Sequence, residues 1–231
     1  AVLCIEGTGN EWLYVPSYDG VRARWVSHEI MAESDQTAYG VTEIRYLGKA
    51  VSGYSLRPFG QDKWYCDLIF YLGGRHGKVY VPGMPQWHGT HPEQFLWYMA
   101  GQVSSFKHNL VDISATVAAM RRTKDAHELS CIRTAIARTA SALEVARLRM
   151  APGCSEGELR GAIEAEFVRL GSRLPAFDSI VATGANGTVL HYIDEKSLLE
   201  DGELVVIDIG ARCENYAADI SRTYPANGTF T

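Results

Sequence analysis

The sequence lacks any apolar run approaching the roughly 18 residues that a membrane-crossing helix requires. Its opening, AVLCIEGTGNEWL, meets Glu6 too soon for the core of a secretory leader. It also lacks an excess of positive charge: 22 Lys and Arg against 27 Asp and Glu leave a formal net charge of −5. No basic field exists to hold a phosphate backbone or an anionic membrane, so neither nucleic acid nor a membrane is expected as a partner, and a cytoplasmic protein is. The five cysteines (Cys4, Cys66, Cys131, Cys154, Cys213) contain no C-x-x-C pair. That argues against a disulfide framework and a zinc knuckle, and leaves reduced, packed thiols as the expectation. An initiator Met is missing, which suggests a trimmed or processed N-terminus. Two N-x-T sequons, at Asn186 and Asn227, matter only in a secretory compartment, and chance accounts for them. What is present, 46% hydrophobic and 21% charged residues over 231 positions, excludes disorder, collagen and coiled coil and fits one or two globular domains.

All five Trp and nine of the twelve Tyr precede Lys124, so two domains are expected, 1–123 and 124–231. The first reads as α/β. Aromatic strands are expected over 43–47, 64–72 and 78–81, with a hairpin turn at Gly73-Gly-Arg-His-Gly77 and a helix over 94–102. Most of its aromatics are expected to pack a core, with a substrate entrance or an oligomer contact as the alternative. From Lys124 the period becomes helical, with Leu129, Ile132, Ile136, Leu143 and Met150 near one stripe until Pro152-Gly153. A second helix opens on the capping box Ser155-x-x-Glu158, carries Leu159, Ile163, Phe167 and Leu170 on its apolar face, and ends at Gly171 in a left-handed cap. Strands are expected over 177–183, 189–192, 204–209 and 216–224, giving an α+β layer.

The stretch from Leu204 to Pro225 holds two β-rich runs around the polar Arg212 to Asn215. A hairpin turning between Cys213 and Glu214 would set Asp208 directly opposite Asp219, with Cβ atoms about 5 Å apart. Two ionised carboxylates at that separation repel by about 3 kcal/mol at an effective dielectric of about 20. A shared proton or a cation must compensate, and hard divalent metals suit a carboxylate pair. Alternation puts Ser221 and Thr223 on the face of Asp219, where their hydroxyls could orient the carboxylates, and turns Arg222 away. Spacing alone leaves a solvated hairpin equally open. His191, in the short apolar run after Asn186-Gly-Thr-Val-Leu190, would by itself be a core histidine. A site nearby makes it a candidate.

Taken together, Phe177-Asp-Ser-Ile-Val-Ala-Thr-Gly-Ala-Asn-Gly-Thr-Val-Leu-His191-Tyr, Asp201-Gly-Glu-Leu-Val-Val-Ile-Asp208-Ile-Gly-Ala, Tyr216-Ala-Ala-Asp219-Ile-Ser-Arg-Thr-Tyr-Pro225 and Asn227-Gly-Thr-Phe-Thr231 resemble the first half of the pita-bread metallopeptidase domain. Within that family the chain is most similar to the Xaa-Pro aminopeptidases and to prolidase. The resemblance covers about 124–231. Residues 1–123 occupy the place of the creatinase-like N-terminal domain by order alone.

The resemblance implies a dinuclear site, often manganese, held by two Asp, one His and two Glu, in a peptidase that releases the residue ahead of proline. Asp208 matches the ligand chelating one metal, Asp219 the one bridging both, and His191 the histidine that contacts substrate and steadies the tetrahedral intermediate. Thr223 matches a position behind the ligands. A metal-bridged hydroxide would attack the carbonyl before proline. The pocket would select the proline ring by shape, since its tertiary amide offers no N–H. The partner is thus a peptide with proline second, and a homo-oligomer is expected. Only two of the five ligands fall within this sequence, so a fragment is expected to be inactive alone, with a second chain or lost catalysis as alternatives. Prolidase-type dipeptidase activity and a noncatalytic peptide- or protein-binding module are the competing readings.

Other signals are weaker. His88-Gly-Thr-His91 lacks a third ligand nearby and reads as a surface loop. Gly73 to Lys78 is one residue short of a phosphate loop and has Val79 where Ser or Thr is needed. Gly7-Thr-Gly9 lacks the third glycine of a dinucleotide fingerprint.

Overall fold

The computed structural model describes residues 1–20, 39–50, 65–74, 77–85 and 91–230. Two compact units divide between Arg122 and Thr123.

In the first unit, β1 (Val2–Ile5) and β2 (Glu11–Val15) are antiparallel across a turn where Gly9 takes φ +91, a left-handed value that suits glycine. β2 then pairs in parallel with β3 (Glu43–Tyr46). The strand expected over 64–72 is instead helix α1 (Cys66–Gly73), and its first position, Trp64, lies outside the described residues. Leu68 and Leu72 are both buried, so the apolar side chains that suggested a strand are in fact spaced by one helical turn. β4 (Val79–Val81) pairs in parallel with β5 (Leu110–Asp112), so the glycine-rich segment before it does not close a hairpin. Between them run α2 (His91–Gln102), which contains the expected 94–102 helix, and α3 (Ser104–Asn109); α4 (Ser114–Arg122) follows β5. His88 lies outside the described residues, and His91 opens α2. Part of the aromatic set packs a core: Trp12, Tyr14, Tyr98 and Phe106 join Leu68, Leu96 and Met99 in one buried cluster, while Tyr39, Tyr46, Phe70, Tyr80 and Trp97 are exposed. The Trp12 and Tyr71 rings meet edge to face at 5.5 Å.

In the second unit, α5 (Ala126–Arg149) starts on a capping box in which the Asp125 carboxylate accepts Glu128 N–H at 2.8 Å and the Glu128 carboxylate accepts Asp125 N–H at 2.7 Å. Its buried stripe is Cys131, Ala135, Thr139, Ala142, Leu143 and Ala146, whereas Leu129 and Ile136 are exposed. The sequence reading ranked side chains by size, but small residues are what let a helix lie close against its neighbours. α6 (Glu156–Arg169) follows the expectation closely, with the Ser155 box formed, Leu159, Ile163 and Phe167 buried, and Gly171 at φ +85. Burying those three side chains stabilises the unit by roughly 2 kcal/mol apiece.

Against these helices lies an antiparallel sheet ordered β10-β7-β6, from β6 (Ile180–Thr183), β7 (Leu204–Ile209) and β10 (Ile220–Pro225). Val205, Ile207 and Ile209 of β7 alternate into the core with Val181 of β6, and Ile220 and Tyr224 of β10 pack on the same cluster. The other face therefore carries Val206, Asp208, Ser221 and Thr223. β7 and β10 are joined through the short strands β8 (Arg212–Cys213) and β9 (Tyr216–Ala217). No strand forms over 189–192, where a 3-10 turn (Gly184–Thr188) runs into an irregular loop, and only the last four residues of the expected 177–183 strand are β.

Candidate metal centre

The hairpin register differs from the sequence expectation by two residues. Asp208 stands opposite Ser221, not Asp219, because Cys213 pairs with Tyr216 and the chain turns over Glu214 and Asn215. Glu214 has φ +52, the sign a tight hairpin turn requires at its first central residue. A two-residue shift preserves the face, so Asp219 is still on the side of Asp208, now as a diagonal neighbour.

The ladder opens around Asp219. Continuing the register sets it across from Gly210, and neither residue belongs to a strand. A Cβ on Gly210 would lie 2.0 Å from the Ala218 carbonyl oxygen and 2.9 Å from the Phe177 ring, so only glycine allows the two backbones to approach there. The opening is clamped from behind. The buried Thr139 hydroxyl accepts Ala211 N–H at 2.9 Å and donates to the Ala135 carbonyl at 2.8 Å. Arg138 donates to the Arg212 carbonyl at 2.6 Å, and the Ser172 hydroxyl accepts Arg212 N–H at 2.8 Å.

The structure brings together Asp208, Asp219 and Ser221. The Ser221 hydroxyl donates to Asp208 Oδ1 at 2.7 Å. The Asp219 carboxyl is pushed above the usual range, first by desolvation, then by the charge of Asp208 and a hydrogen bond with it. Such an adjacent pair of carboxylates is a donor set that suits hard divalent ions. Thr223 shares the face but stands opposite Val206, and no hydrogen bond joins it to either carboxylate among the described residues. Arg222 turns away and donates to the Ser221 carbonyl at 2.8 Å.

His191 is exposed, on the turn that follows the 3-10 segment rather than in a strand. That segment approaches the open face of β7: a Cβ on Gly187 would come within 3.0 Å of Val206 Cγ2. Its anchor is Glu156, which the sequence reading passed over. Fully buried at the start of α6, Glu156 accepts Thr183 N–H at 2.8 Å and the Asn186 amide at 3.0 Å through Oε1. Through Oε2 it accepts the Tyr192 hydroxyl at 2.8 Å and Ser197 N–H at 3.1 Å. The Asn186 amide also donates to Ser197 Oγ at 2.9 Å, so the sequon side chain is committed to the interior of the loop. Each end of the segment bearing His191 is thus tied to one buried carboxylate. The only legible signal was a glutamate at a helix start.

Residues 130–231 match the model of metallopeptidase family M24. The chain is 41% identical over 122 residues to the Xaa-Pro aminopeptidase of Escherichia coli K12, a match covering 53% of this chain and 28% of that protein. It is 35% identical over 213 residues to a probable Xaa-Pro aminopeptidase of Coccidioides posadasii, covering 92% of this chain and 39% of that protein. Among solved structures, proline aminopeptidase P II from Yersinia pestis superposes with a TM-score of 0.74 at 27% identity, over 96% of this chain and 48% of that one. An Escherichia coli aminopeptidase P variant in complex with substrate gives a TM-score of 0.74 at 26% identity, with the same shares covered. The chain therefore spans less than half the length of these relatives.

Proposed function

We propose, from the premise that the chain from residue 130 onward belongs to metallopeptidase family M24, that it carries part of the active site of a metal-dependent exopeptidase cleaving the bond before proline. The fold is an N-terminal creatinase-like α/β domain followed by the first half of an α+β pita-bread domain. We assign the first to 1–123 and the second to 124–231. The observation that carries the reading is the meeting of Asp208 and Asp219 on the open face of the sheet, with Ser221 bonded to Asp208.

In this reading Asp208 and Asp219 hold two divalent ions, manganese by preference. Bound there, the ions supply Lewis acidity for the scissile carbonyl and lower the pKa of a water nucleophile. Ser221 holds the Asp208 carboxylate in one orientation, and Thr223 stands behind it once ligands are bound. His191 contacts the substrate and steadies charge on the tetrahedral carbonyl oxygen, on a loop that Glu156 fixes. The peptide substrate has proline second. Two carboxylates alone bind divalent ions weakly, since affinity follows ligand number and charge, so the remaining ligands lie outside these 231 residues and the chain by itself is inactive. Five thiols without a disulfide fit a cytoplasmic protein, and assembly into a homo-oligomer completes the proposal.

The test is to assay the full-length gene product with manganese on a peptide whose second residue is proline. Release of the first residue is expected, and Asp219→Asn should abolish both metal uptake and turnover while the circular dichroism spectrum stays unchanged. No release, together with no bound metal by elemental analysis, would instead indicate a noncatalytic binding module. Release only from dipeptides would place the enzyme with prolidase.

A further inference from the structure

A second group of metal-ligating side chains converges away from the carboxylate pair. His127 and Cys131 are four residues apart at the start of α5, so one helical turn stacks them on the same face. The tip of the β8–β9 hairpin brings Glu214 to them. His127 Nε2 is 3.2 Å from Glu214 Oε2 and 3.7 Å from Cys131 Sγ. All three ligand atoms lie within 4.8 Å of one another.

These separations discriminate between an ion pair and a metal site. With Zn–N and Zn–O near 2.0–2.1 Å and Zn–S near 2.3 Å, tetrahedral geometry puts neighbouring ligand atoms about 3.3 to 3.8 Å apart. The His127–Cys131 contact, at 3.7 Å, falls at that spacing, and the His127–Glu214 contact, at 3.2 Å, lies just below it. A simple surface ion pair explains the His127–Glu214 contact but not a buried thiol directed at the same nitrogen. Nε2 cannot both donate a proton to Glu214 and accept one from Cys131, so without a cation the thiol is left at best as a weak sulfur acceptor of a shared N–H. An ion between the three resolves that conflict, and one imidazole, one thiolate and one carboxylate form a borderline donor set that suits zinc rather than manganese.

We propose that His127, Cys131 and Glu214 form a binding site for one Zn2+ ion that staples the first turns of α5 to the tip of the β8–β9 hairpin. The site is separate from the carboxylate pair, since four residues lie between Asp208 and Cys213, a rise of roughly 16 Å along the extended chain. Its readout is therefore independent of any peptidase activity.

The experiment titrates Co2+ under a thiol-free reductant into the 231-residue chain carrying Asp208→Asn and Asp219→Asn. A thiolate-to-cobalt charge-transfer band saturating at one equivalent and lost on adding Zn2+ is expected. Cys131→Ser should remove the band. Since Cys131 is buried, His127→Ala, at an exposed position, is the second variant, and it should weaken Co2+ by more than the roughly 10- to 100-fold that loss of an outer partner alone costs. No charge-transfer band at any Co2+ concentration, or a band and affinity unchanged in His127→Ala, would overturn the site.

Discussion

The Thr139 hydroxyl of α5 accepts the Ala211 amide at 2.9 Å, one residue beyond the glycine at which the site hairpin opens. Both groups are buried. A buried amide that loses its acceptor costs about 1–3 kcal/mol, whereas retaining a hydroxyl avoids most of that penalty. Thr139→Val should therefore lower the unfolding free energy by about 2 kcal/mol, and Thr139→Ser by about 1 kcal/mol or less. Urea melts of the three chains decide it. A larger loss in the Ser variant than in the Val variant would mean that methyl packing, not the hydrogen bond, holds this contact.

That link also shows where the sequence was legible. The Ser155 box, the α6 face and the Gly171 cap are local, set by residues within one or two turns, and the structure reproduces them. The Asp208–Asp219 face was legible because strand alternation survives an even shift of register. The register itself depended on which turn residue accepts a positive φ, and Glu214 gives no outward sign of doing so. α5 was misread because the stripe that packs is made of alanines, a threonine and a cysteine, which hydrophobic ranking discounts. Glu156 was invisible because its partners lie 27 to 41 residues away. The His127, Cys131 and Glu214 group leaves no mark in the cysteine spacing, because its members meet across a helix and a hairpin.

Glu166 is a second test of packing through charge. Its carboxylate accepts two hydrogen bonds from Arg169 at 2.6 and 2.7 Å and one from Ser141 at 2.7 Å. Arg169 first and Ser141 second lower its pKa from 4.5 to about 2. A folded pKa below the unfolded one gives stability that is complete above about 4.5 and is lost as the pH falls toward about 2. Glu166→Gln should therefore destabilise the chain at neutral pH, and its difference from the parent should shrink across that acid window. Urea midpoints against pH measure it, and a difference that stays constant down to the acid end would rule the linkage out.

Gly210 tests the geometry of the opening. An alanine there would press its Cβ to 2.0 Å from the Ala218 carbonyl, a backbone atom with no freedom to swing aside. Gly210→Ala should cost more than about 3 kcal/mol, beyond the usual range for overpacking by one methyl group, and separate the strands next to Asp219. In the full-length protein, metal affinity should fall with it. A variant that melts at the parent temperature and binds metal equally well would show that the close approach of the two backbones is dispensable.

Glu156 tests whether the loop bearing His191 depends on one buried carboxylate. Removing it leaves Thr183 N–H, Ser197 N–H, the Tyr192 hydroxyl and one Asn186 amide bond without an acceptor. Water entering the space can serve some of these donors, so the cost is below the sum of four lost bonds, about 3–5 kcal/mol for Glu156→Ala. Glu156→Gln keeps one carbonyl oxygen and nearly the same volume but brings two donors of its own, and should cost about half as much. Amide exchange separates a local effect from a global one: Thr183 and Ser197 should lose protection in both variants, while Ile207 in the central strand loses it only to the extent that global stability falls. On the role proposed for His191, loosening it in the full-length protein should reduce kcat more than it raises KM, because that role acts on charge that develops during the reaction. Unchanged exchange at Thr183 in Glu156→Ala would mean that the loop holds its shape without the carboxylate and that His191 is positioned by something else.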